Sequence, residues 1–311
     1  MRIIVTGAGG FLGRRLTPLL RDHEVVALDR AMPSAPPRYV TPIEGDIRDP
    51  ACLRAAFARG CDVVIHLATI PGGAAEQDPA LAKAVNIDAT MALVEAAAAA
   101  GMRSRFIFAS SIAVLGETLP AQVDDSTPAA PTMVYGAHKA MMEQWIATMT
   151  RRGAVDGVSL RLPGLVARPA LSSGMKSAFL SALFHALRAE RRLALPVGPD
   201  ATVWLMSGGA AARALVHALT IPSCVDAIAL PALRIRMRDL IAEVARQSDA
   251  DAHLVSFAPD AAIEAAFGRC PPLATKTADA LGFTHDGSLK ELVAAALAAL
   301  DEREDHEAGD T

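Results

Sequence analysis

Tyr135 and Lys139 have the residue types and the spacing best suited to acid–base chemistry in this sequence. They lie four residues apart in VYGAHKAMMEQW (134–145), a segment whose other residues indicate a helix with an apolar face. Residues at i and i+4 share one face of a helix. A free phenol has a pKa of about 10, and a nearby ammonium group favours the phenolate. The pair therefore predicts a general base that accepts a proton from a substrate alcohol. A half-buried tyrosine beside a solvated lysine is the purely structural alternative.

Two serines precede this segment at the end of an apolar run. RFIFASS predicts a strand that ends with Ser110 and Ser111. A serine hydroxyl at that strand end can share the substrate oxygen with the tyrosine and stabilise the charge that develops on it.

A glycine-rich loop follows the first predicted strand. VTGAGGFLG places Gly7, Gly10 and Gly13 three residues apart, after the strand RIIVTG and before a helix predicted over 11–21. Glycine allows a tight turn and a close approach to a pyrophosphate, which the N–H groups at the start of the helix can bind. A strand before the glycines and a helix after them are the context that a dinucleotide motif requires. The residues assigned to a dinucleotide in this loop are Gly7, Gly10, Phe11, Leu12 and Gly13.

Asp29 ends the second predicted strand, EVVALD. An acidic residue about 20 positions after the glycines is placed to bind the adenosine ribose. Its carboxylate repels a 2'-phosphate and so favours NAD over NADP, although the neighbouring Arg30 is a residue type that can admit NADP. An aspartate that only caps the next turn is the structural alternative.

Further residues at strand ends fit a dinucleotide site. We expect Asp46 to reach the adenine and Ile47 to pack on it. Leu67, Ala68 and Thr69 follow the strand DVVIH, where they would lie over the pyrophosphate. His66 lies inside that apolar strand, so a neutral, hydrogen-bonded structural histidine is favoured over a catalytic one.

Taken in order, several of these segments resemble extended short-chain dehydrogenases/reductases of the NAD-dependent epimerase/dehydratase type. The resemblance covers residues 1–169. It rests on TGAGGFLG, Asp29, GDIRD, HLA, Asn86 in VNIDAT, SSIAVLG, YGAHK and LRLPG.

The resemblance implies NAD as the cofactor and assigns roles to individual residues. Ser111, Tyr135 and Lys139 would form the catalytic set, and Lys139 would also hold the nicotinamide ribose. Asn86 would anchor the active-site end of its helix, and Pro163 would border the nicotinamide. The remaining cofactor contacts implied are Asp29, Asp46, Ile47, Leu67, Ala68, Thr69 and Ser110.

Later segments resemble the D-erythronate dehydrogenase branch of this family, which oxidises the C2 hydroxyl of a small sugar acid to a 2-keto acid. They are LRLPGLVARPALSSGMKSAF, LPVGPDATVWLMS and ADALGFTHDGSLKELV. The carboxylate of such an acid needs a cation or clustered donors. Arg168 and Ser173 are the candidates, beside Ser111 and Tyr135 at the reacting hydroxyl. A surface ion pair is the alternative for Arg168, and Trp204 is either a cover over the ligand or a core residue.

The pattern of apolar segments predicts the fold class. Short continuous apolar runs alternate with helical stretches, which indicates an α/β protein with a Rossmann-like, doubly wound parallel sheet. We expect an NAD-binding domain over 1–169 and a smaller C-terminal substrate-binding region over 170–300, with some strands returning to the main sheet. Residues 301–311 are mostly charged and predict a disordered acidic tail.

Composition excludes several classes of function. A net charge of −4 argues against a nucleic-acid partner, and no apolar run reaches the length of a membrane span. The sequence begins with a predicted strand rather than a signal peptide, and its four cysteines show neither CxxC pairing nor histidines at metal spacing. We therefore expect a cytoplasmic protein without a metal.

Three functions compete at this point. The first is an NAD-dependent dehydrogenase acting on a small sugar acid, and the second is a nucleotide-sugar epimerase or dehydratase that keeps its NAD bound. The third is a dinucleotide sensor without activity, which has no need of a proton acceptor. For the first we also expect a homodimer that pairs helices around 83–100 and 135–150.

Overall fold

The computed structural model describes residues 1–32, 36–100, 103–168 and 176–309. The strands in this part of the chain are β1 (Arg2–Thr6), β2 (Glu24–Asp29), β3 (Val40–Glu44), β4 (Val63–His66), β5 (Arg105–Ser111), β6 (Asp156–Leu162), β7 (Gly164–Leu165), β8 (Leu193–Leu195), β9 (Thr202–Met206), β10 (Ile228–Ala229), β11 (Leu233–Arg236) and β12 (Val255–Phe257). The α-helices are α1 (Phe11–Leu16), α2 (Pro50–Phe57), α3 (Gly72–Gln77), α4 (Pro79–Lys83), α5 (Thr90–Ala99), α6 (Val134–Arg151), α7 (Phe179–Arg188), α8 (Gly208–His217), α9 (Met237–Ser248), α10 (Ala261–Phe267), α11 (Lys276–Ala280) and α12 (Leu289–Gly309).

A seven-stranded sheet in the order β10-β6-β5-β4-β1-β2-β3 forms the centre of one compact unit. Every neighbouring pair in it is parallel. Its inner strands are almost wholly buried, as in Ile3–Thr6 of β1 and Arg105–Ser110 of β5. Continuous apolar strands are stable only where helices cover both faces of the sheet. The predicted Rossmann-like parallel sheet is confirmed.

The edge strand β3 was not predicted from the sequence. Its segment VTPIE contains Pro42, which cannot donate to a ladder and is tolerated at a sheet edge. Only Val40 of β3 is buried. The strand is therefore held by its pairing with β2, and the local apolar pattern gives little sign of it.

Two predicted helices differ in detail from the observed ones. The helix predicted over 11–21 ends as an α-helix at Leu16, and a 3₁₀ turn continues over Thr17–Leu20. Pro18 lacks the N–H that would bond to the preceding turn. The helix expected around 83–100 is not a continuous α-helix, because a π-helical segment (Ala84–Ala89) precedes α5.

The chain forms two compact units, each built from several chain segments. The first consists of Met1–Leu115, Pro128–Leu162 and Ala212–Ala229. The second consists of Gly116–Thr127, Pro163–Ala211 and Leu230–Thr311. Strand β10 lies in the first unit and pairs with β6, so the main sheet includes a strand from late in the chain.

The second unit has its own apolar core and two small sheets. Helices α7, α9 and α12 supply much of this core, through residues such as Phe184, Val244 and Leu292, each fully buried. One sheet has the order β11-β9-β7, and the other pairs β12 with β8. Helix α12 includes the backbone of residues 301–309. Within the described ranges, no helix is both long enough and apolar enough to cross a membrane.

Candidate active site

Tyr135 and Lys139 lie together on the first turns of α6. The Lys139 ammonium group is 5.6 Å from the centre of the Tyr135 ring and 4.5 Å from the centre of the Phe108 ring. Its Nζ donates a hydrogen bond to the carbonyl oxygen of Ala109 at 2.7 Å, and Lys139 is only 3% exposed. The shared helical face predicted from the spacing is present. Because Lys139 is buried, the solvated lysine of the structural alternative is excluded.

The buried position of Lys139 affects its charge. Burial lowers the pKa of Lys139 to about 7, and the Glu143 carboxylate opposes this by favouring the ammonium form. A cation with such a pKa can gain or lose its proton near neutral pH. Any assistance that Lys139 gives to the phenol is therefore pH-dependent in the physiological range.

Gly136 allows α6 to approach the chain that follows β5. A Cβ atom at this position would lie 2.3 Å from the carbonyl oxygen of Ala113, closer than any real contact of that kind. Position 136 therefore requires glycine, because a larger residue would collide with the Ala113 carbonyl oxygen. Sequence reasoning missed this residue, although glycine inside a helical pattern was the available signal.

Ser111 ends β5, two residues before Ala113. Its Oγ accepts a hydrogen bond from the Ala113 amide at 3.1 Å, and the side chain is partly exposed. Ser110 differs, because it is 2% exposed and its hydroxyl donates to Glu143 Oε1. The strand thus offers Ser111 for chemistry and directs Ser110 into the protein interior.

The glycine loop has the geometry that its motif predicts. Gly7 adopts a φ of +73°, and a Cβ atom on it would lie 2.6 Å from the Ala68 nitrogen. A Cβ atom on Gly13 would lie 2.4 Å from the Gly7 carbonyl oxygen. The Gly10 amide donates to the same oxygen at 3.1 Å. Phe11 and Leu12, the other two residues assigned here, are half-buried at the start of α1.

Asp29 lies at the end of β2 and contacts this loop. Its carboxylate accepts hydrogen bonds from the Gly9 amide at 3.0 Å and from the Ala31 amide at 3.3 Å. Gly9 is a second residue missed from sequence, since a Cβ atom there would lie 2.1 Å from the Ala31 carbonyl oxygen. A glycine-rich loop next to a strand-end carboxylate fits the pyrophosphate and ribose of NAD.

Asp46 and Ile47, assigned to the adenine, have protein partners. The Asp46 carboxylate binds the Arg48 guanidinium through both oxygens at 3.0 and 2.7 Å. Those hydrogen bonds lower the pKa of Asp46 to about 2. Ile47 is 5% exposed and packs in the core of the first unit.

Asn86 fixes the chain that follows β4. Its Oδ1 accepts from the Ile70 amide at 2.8 Å and the Thr69 hydroxyl at 3.0 Å, and its Nδ2 donates to the Ile70 carbonyl oxygen at 3.0 Å. The Leu67 amide donates to the Thr6 carbonyl oxygen, which extends the β1–β4 pairing toward Ala68. Asn86 is 4% exposed, so in this structure it acts as an internal anchor of the loop.

His66 is a buried structural histidine, as expected from its strand. Its Nδ1 is 2.6 Å from the Thr6 hydroxyl and its Nε2 is 2.9 Å from the Thr90 hydroxyl. The imidazole stacks on the Phe108 ring with centroids 5.8 Å apart. Burial, assisted by the charge of Lys139, lowers the pKa of His66 to about 3. The ring is therefore neutral at working pH.

This burial predicts a loss of stability in acid. His66 has a pKa of about 3 in the folded protein and an ordinary value of 6.5. Between these values the unfolded chain binds more protons, so the free energy of unfolding falls as pH falls from 6.5 toward 3. We expect a loss of about 2 kcal/mol between pH 7 and pH 5 from this group. His66→Asn should show a smaller loss in urea titrations at the two pH values.

The exposed His253 provides the control for this measurement. His253→Asn should lose as much stability in acid as the parent protein. Equal acid losses in His66→Asn and the parent would contradict the assignment of the effect to His66.

Arg168, a candidate for the substrate carboxylate, lies in the second unit. The Arg168 amide donates to the Ser181 hydroxyl at 3.2 Å, and its carbonyl oxygen is 2.7 Å from His185 Nε2. Ser173 lies outside the described residues. Pro163 is buried directly after β6. Trp204 is 2% exposed and donates to the Pro271 carbonyl oxygen at 2.8 Å, which makes it a core residue.

Comparison with known proteins places this geometry in a family. The model of the NAD dependent epimerase/dehydratase family matches residues 3–229. A D-erythronate dehydrogenase from Cupriavidus necator is 34% identical over 95% of this chain and 97% of its own length. A D-erythronate dehydrogenase from Haemophilus influenzae is 31% identical over 94% of this chain and 98% of its own. A nucleoside-diphosphate-sugar epimerase from Agrobacterium tumefaciens superposes with a TM-score of 0.86 at 28% identity, over 94% of this chain and 92% of its own. The chain thus belongs to the NAD dependent epimerase/dehydratase family and is an oxidoreductase that uses NAD.

Proposed function

We propose that this enzyme oxidises the C2 hydroxyl of a small sugar acid, a D-erythronate-like aldonate, to the corresponding 2-keto acid. The observation that carries the proposal is the similarity to two D-erythronate dehydrogenases over nearly the full length of each chain. That similarity extends beyond residue 229, where the family match ends. It therefore includes the region in which substrate choice is expected to reside.

Tyr135 is the proton acceptor in this proposal. Its phenolate oxygen takes the proton of the C2 alcohol and becomes the phenol, while Ser111 shares the same substrate oxygen and stabilises the charge on it. Lys139, held beside the Tyr135 ring by Ala109, favours the phenolate in its ammonium form. When bound, NAD supplies the acceptor for the hydride that leaves C2.

Arg168 and Ser173 are the residues proposed for the carboxylate of the acid. A guanidinium group can bind a carboxylate through two parallel hydrogen bonds, which would fix both the position and the orientation of a small substrate. NAD would be held on the glycine loop by Gly7, Gly10, Gly13 and Asp29. The other cofactor-binding residues that we assigned from the sequence would surround it.

A panel of aldonates with NAD tests the proposal. Reduced nicotinamide, followed by its absorbance, should accumulate with at least one C4-type acid and not with a Tyr135→Phe preparation. The alternative is a nucleotide-sugar epimerase or dehydratase with tightly bound NAD, which the likeness to the Agrobacterium tumefaciens epimerase favours. Epimerisation of a nucleotide sugar, without turnover of any acid, would overturn our proposal.

Asp29 is proposed to set the cofactor preference. Its carboxylate lies at the loop where an adenosine ribose would bind and would repel a 2'-phosphate. We expect NAD to bind more tightly than NADP, and Asp29→Ala to narrow that difference when both affinities are measured by calorimetry. Tighter binding of NADP than of NAD by the parent protein would contradict this role.

We further infer a cytoplasmic homodimer that pairs the helices around 83–100 and 135–150, which include α5 and α6, with their copies. All four cysteines are free thiols, as in reducing compartments. Met141 on α6 is 54% exposed, whereas the neighbouring Met142 is 2% exposed and belongs to the core. Only Met141 of this pair is thus available to an interface.

Light scattering tests the dimer. The parent protein should be dimeric at micromolar concentration, and Met141→Lys should weaken the dimer because a charge is buried without a partner. Leu19→Lys, at a position that is 46% exposed outside α5 and α6, is the control and should remain dimeric. A monomeric parent protein would refute the inference.

A further inference from the structure

Glu143 continues the face of α6 that carries Tyr135 and Lys139. The three residues are spaced four apart, so they stack along one side of the helix. Glu143 is 4% exposed, and a buried carboxylate is costly unless it is paired and hydrogen-bonded. Neither the proposed chemistry nor the family resemblance assigns it a role.

The partners of Glu143 come from two neighbouring strands of the main sheet. Arg161 on β6 donates from Nε to Oε1 at 3.0 Å and from Nη2 to Oε2 at 2.8 Å. Ser110 on β5 donates its hydroxyl to Oε1. Ser110 and Arg161 are directly opposite each other in the β5–β6 ladder. One carboxylate therefore ties α6 to the carboxyl ends of both strands.

These contacts lie around the residues proposed for catalysis. Ala109 accepts the hydrogen bond of Lys139, Ser110 donates to Glu143, and Ser111 follows directly. Two consecutive residues of β5 are thus hydrogen-bonded to α6, and the candidate catalytic serine is the next residue. The distance between β5 and the Tyr135–Lys139 face depends on both hydrogen bonds.

Glu143 supplies negative charge near Lys139. The titratable groups that face Lys139 are Tyr135 and Glu143 on its own helix and His66 on β4. His66 is neutral at working pH, and Glu143 is also paired with the positive charge of Arg161. Without the carboxylate, the buried Lys139 and the partly buried Arg161 would both lose this anion.

We propose that Glu143 is a positioning residue, which fixes the end of β5 against α6 and supplies the negative charge that balances Lys139. A purely structural ion pair would stabilise the fold and leave the protonation of Lys139 unchanged. The two possibilities therefore differ in how stability depends on pH.

The test uses the protein without substrate or NAD. The folded pKa of Lys139 is about 7, against 10.5 ordinarily, so its titration makes the unfolding free energy rise with pH between these values. The contribution of Lys139 is the difference between a protein and its Lys139→Met version. In Glu143→Gln that rise should begin about one pH unit lower than in the parent, because the anion that favours the ammonium form is gone.

Further variants keep the test decisive if Glu143→Gln does not fold. Glu143→Gln combined with Arg161→Gln removes the pair together and should show the same direction of shift. The matched control is the pair Arg105–Asp156, which joins the first residues of β5 and β6 at 2.7 Å. Arg105→Gln combined with Asp156→Asn should lower stability and leave the start of the Lys139-dependent rise unchanged. An unchanged start in the Glu143 variants as well would overturn the proposal.

Glu143→Asp distinguishes the effect of the negative charge at position 143 from the effect of its hydrogen bonds to Ser110 and Arg161. It retains the carboxylate but shortens its reach, so the Lys139-dependent rise should return toward its position in the parent. This stability measurement does not depend on the proposed function. A second measurement, of activity, does rest on the proposed function. In it, kcat on the aldonate should be reduced for both Glu143→Gln and Glu143→Asp. Failure of all turnover in the parent would then reject the proposed function alone, whereas equal kcat in the parent and Glu143→Asp would reject the positioning role.

Discussion

Tyr135→Phe is expected to abolish turnover of the sugar acid and to leave NAD binding nearly intact. The change removes a single hydroxyl group from a side chain whose ring lies 5.6 Å from the Lys139 ammonium. General-base catalysis contributes roughly 10²- to 10⁴-fold in rate, so kcat should fall at least that far. Calorimetry with NAD and steady-state kinetics on the same preparation measure the two quantities. A variant that retains most of its activity would assign the Tyr135–Lys139 pair to packing.

Variants of Lys139 complete this experiment. The rate of the parent enzyme should rise with pH through an apparent pKa well below 10, and Lys139→Met should move that value upward. Lys139→Ala should lower both kcat and NAD affinity, because it removes a charge and a proposed ribose contact. A Lys139→Ala protein with normal NAD affinity would remove the ribose contact from the proposal.

Gly13→Ala is expected to have the second large effect, on NAD binding. The added Cβ atom would lie 2.4 Å from the Gly7 carbonyl oxygen and 2.5 Å from that of Ala8. Both are backbone atoms, so the loop itself must move. Overpacking of this kind costs about 1–3 kcal/mol. A loss of that size in the NAD complex corresponds to a roughly 5- to 150-fold weaker affinity, which calorimetry would detect.

Gly72→Ala is the matched control for that change. Gly72 begins α3, and a Cβ atom there would meet no atom within 4 Å. Alanine also has the higher helix propensity. The control should keep its NAD affinity and melting temperature, and equal losses in both variants would show that the space around Gly13 is not the cause.

The main sheet was predictable because its inner strands are buried on both faces. β1, β2, β4 and β5 each appear in the sequence as a continuous apolar run. The strands of the second unit were mostly missed, since β8 and β12 have three residues each and mix buried with exposed positions. Pairing across long sequence separations decides such strands, and local patterns do not report it.

The candidate site shows the same difference between features that follow from local sequence and features that depend on long-range contacts. The spacing of Tyr135 and Lys139 on one helix is a local property, and it predicted their shared face. The role of Glu143 depends on Ser110 and Arg161, which only the folded sheet brings to it. Gly136 was likewise overlooked because its constraint is the Ala113 carbonyl oxygen, on a different chain segment.

The late arrival of β10 in the main sheet has a consequence for synthesis on the ribosome. The strand that completes the sheet, Ile228–Ala229, is translated after residues 163–211, which belong to the other unit. At a translation rate of about 5–20 residues per second, roughly 3–13 s pass between the synthesis of β6 and that of β10. During that interval the outer edge of β6 offers unpaired N–H and C=O groups to other chains. Nascent chains arrested before Ile228 should therefore aggregate or bind chaperones more readily than chains arrested after Ala229.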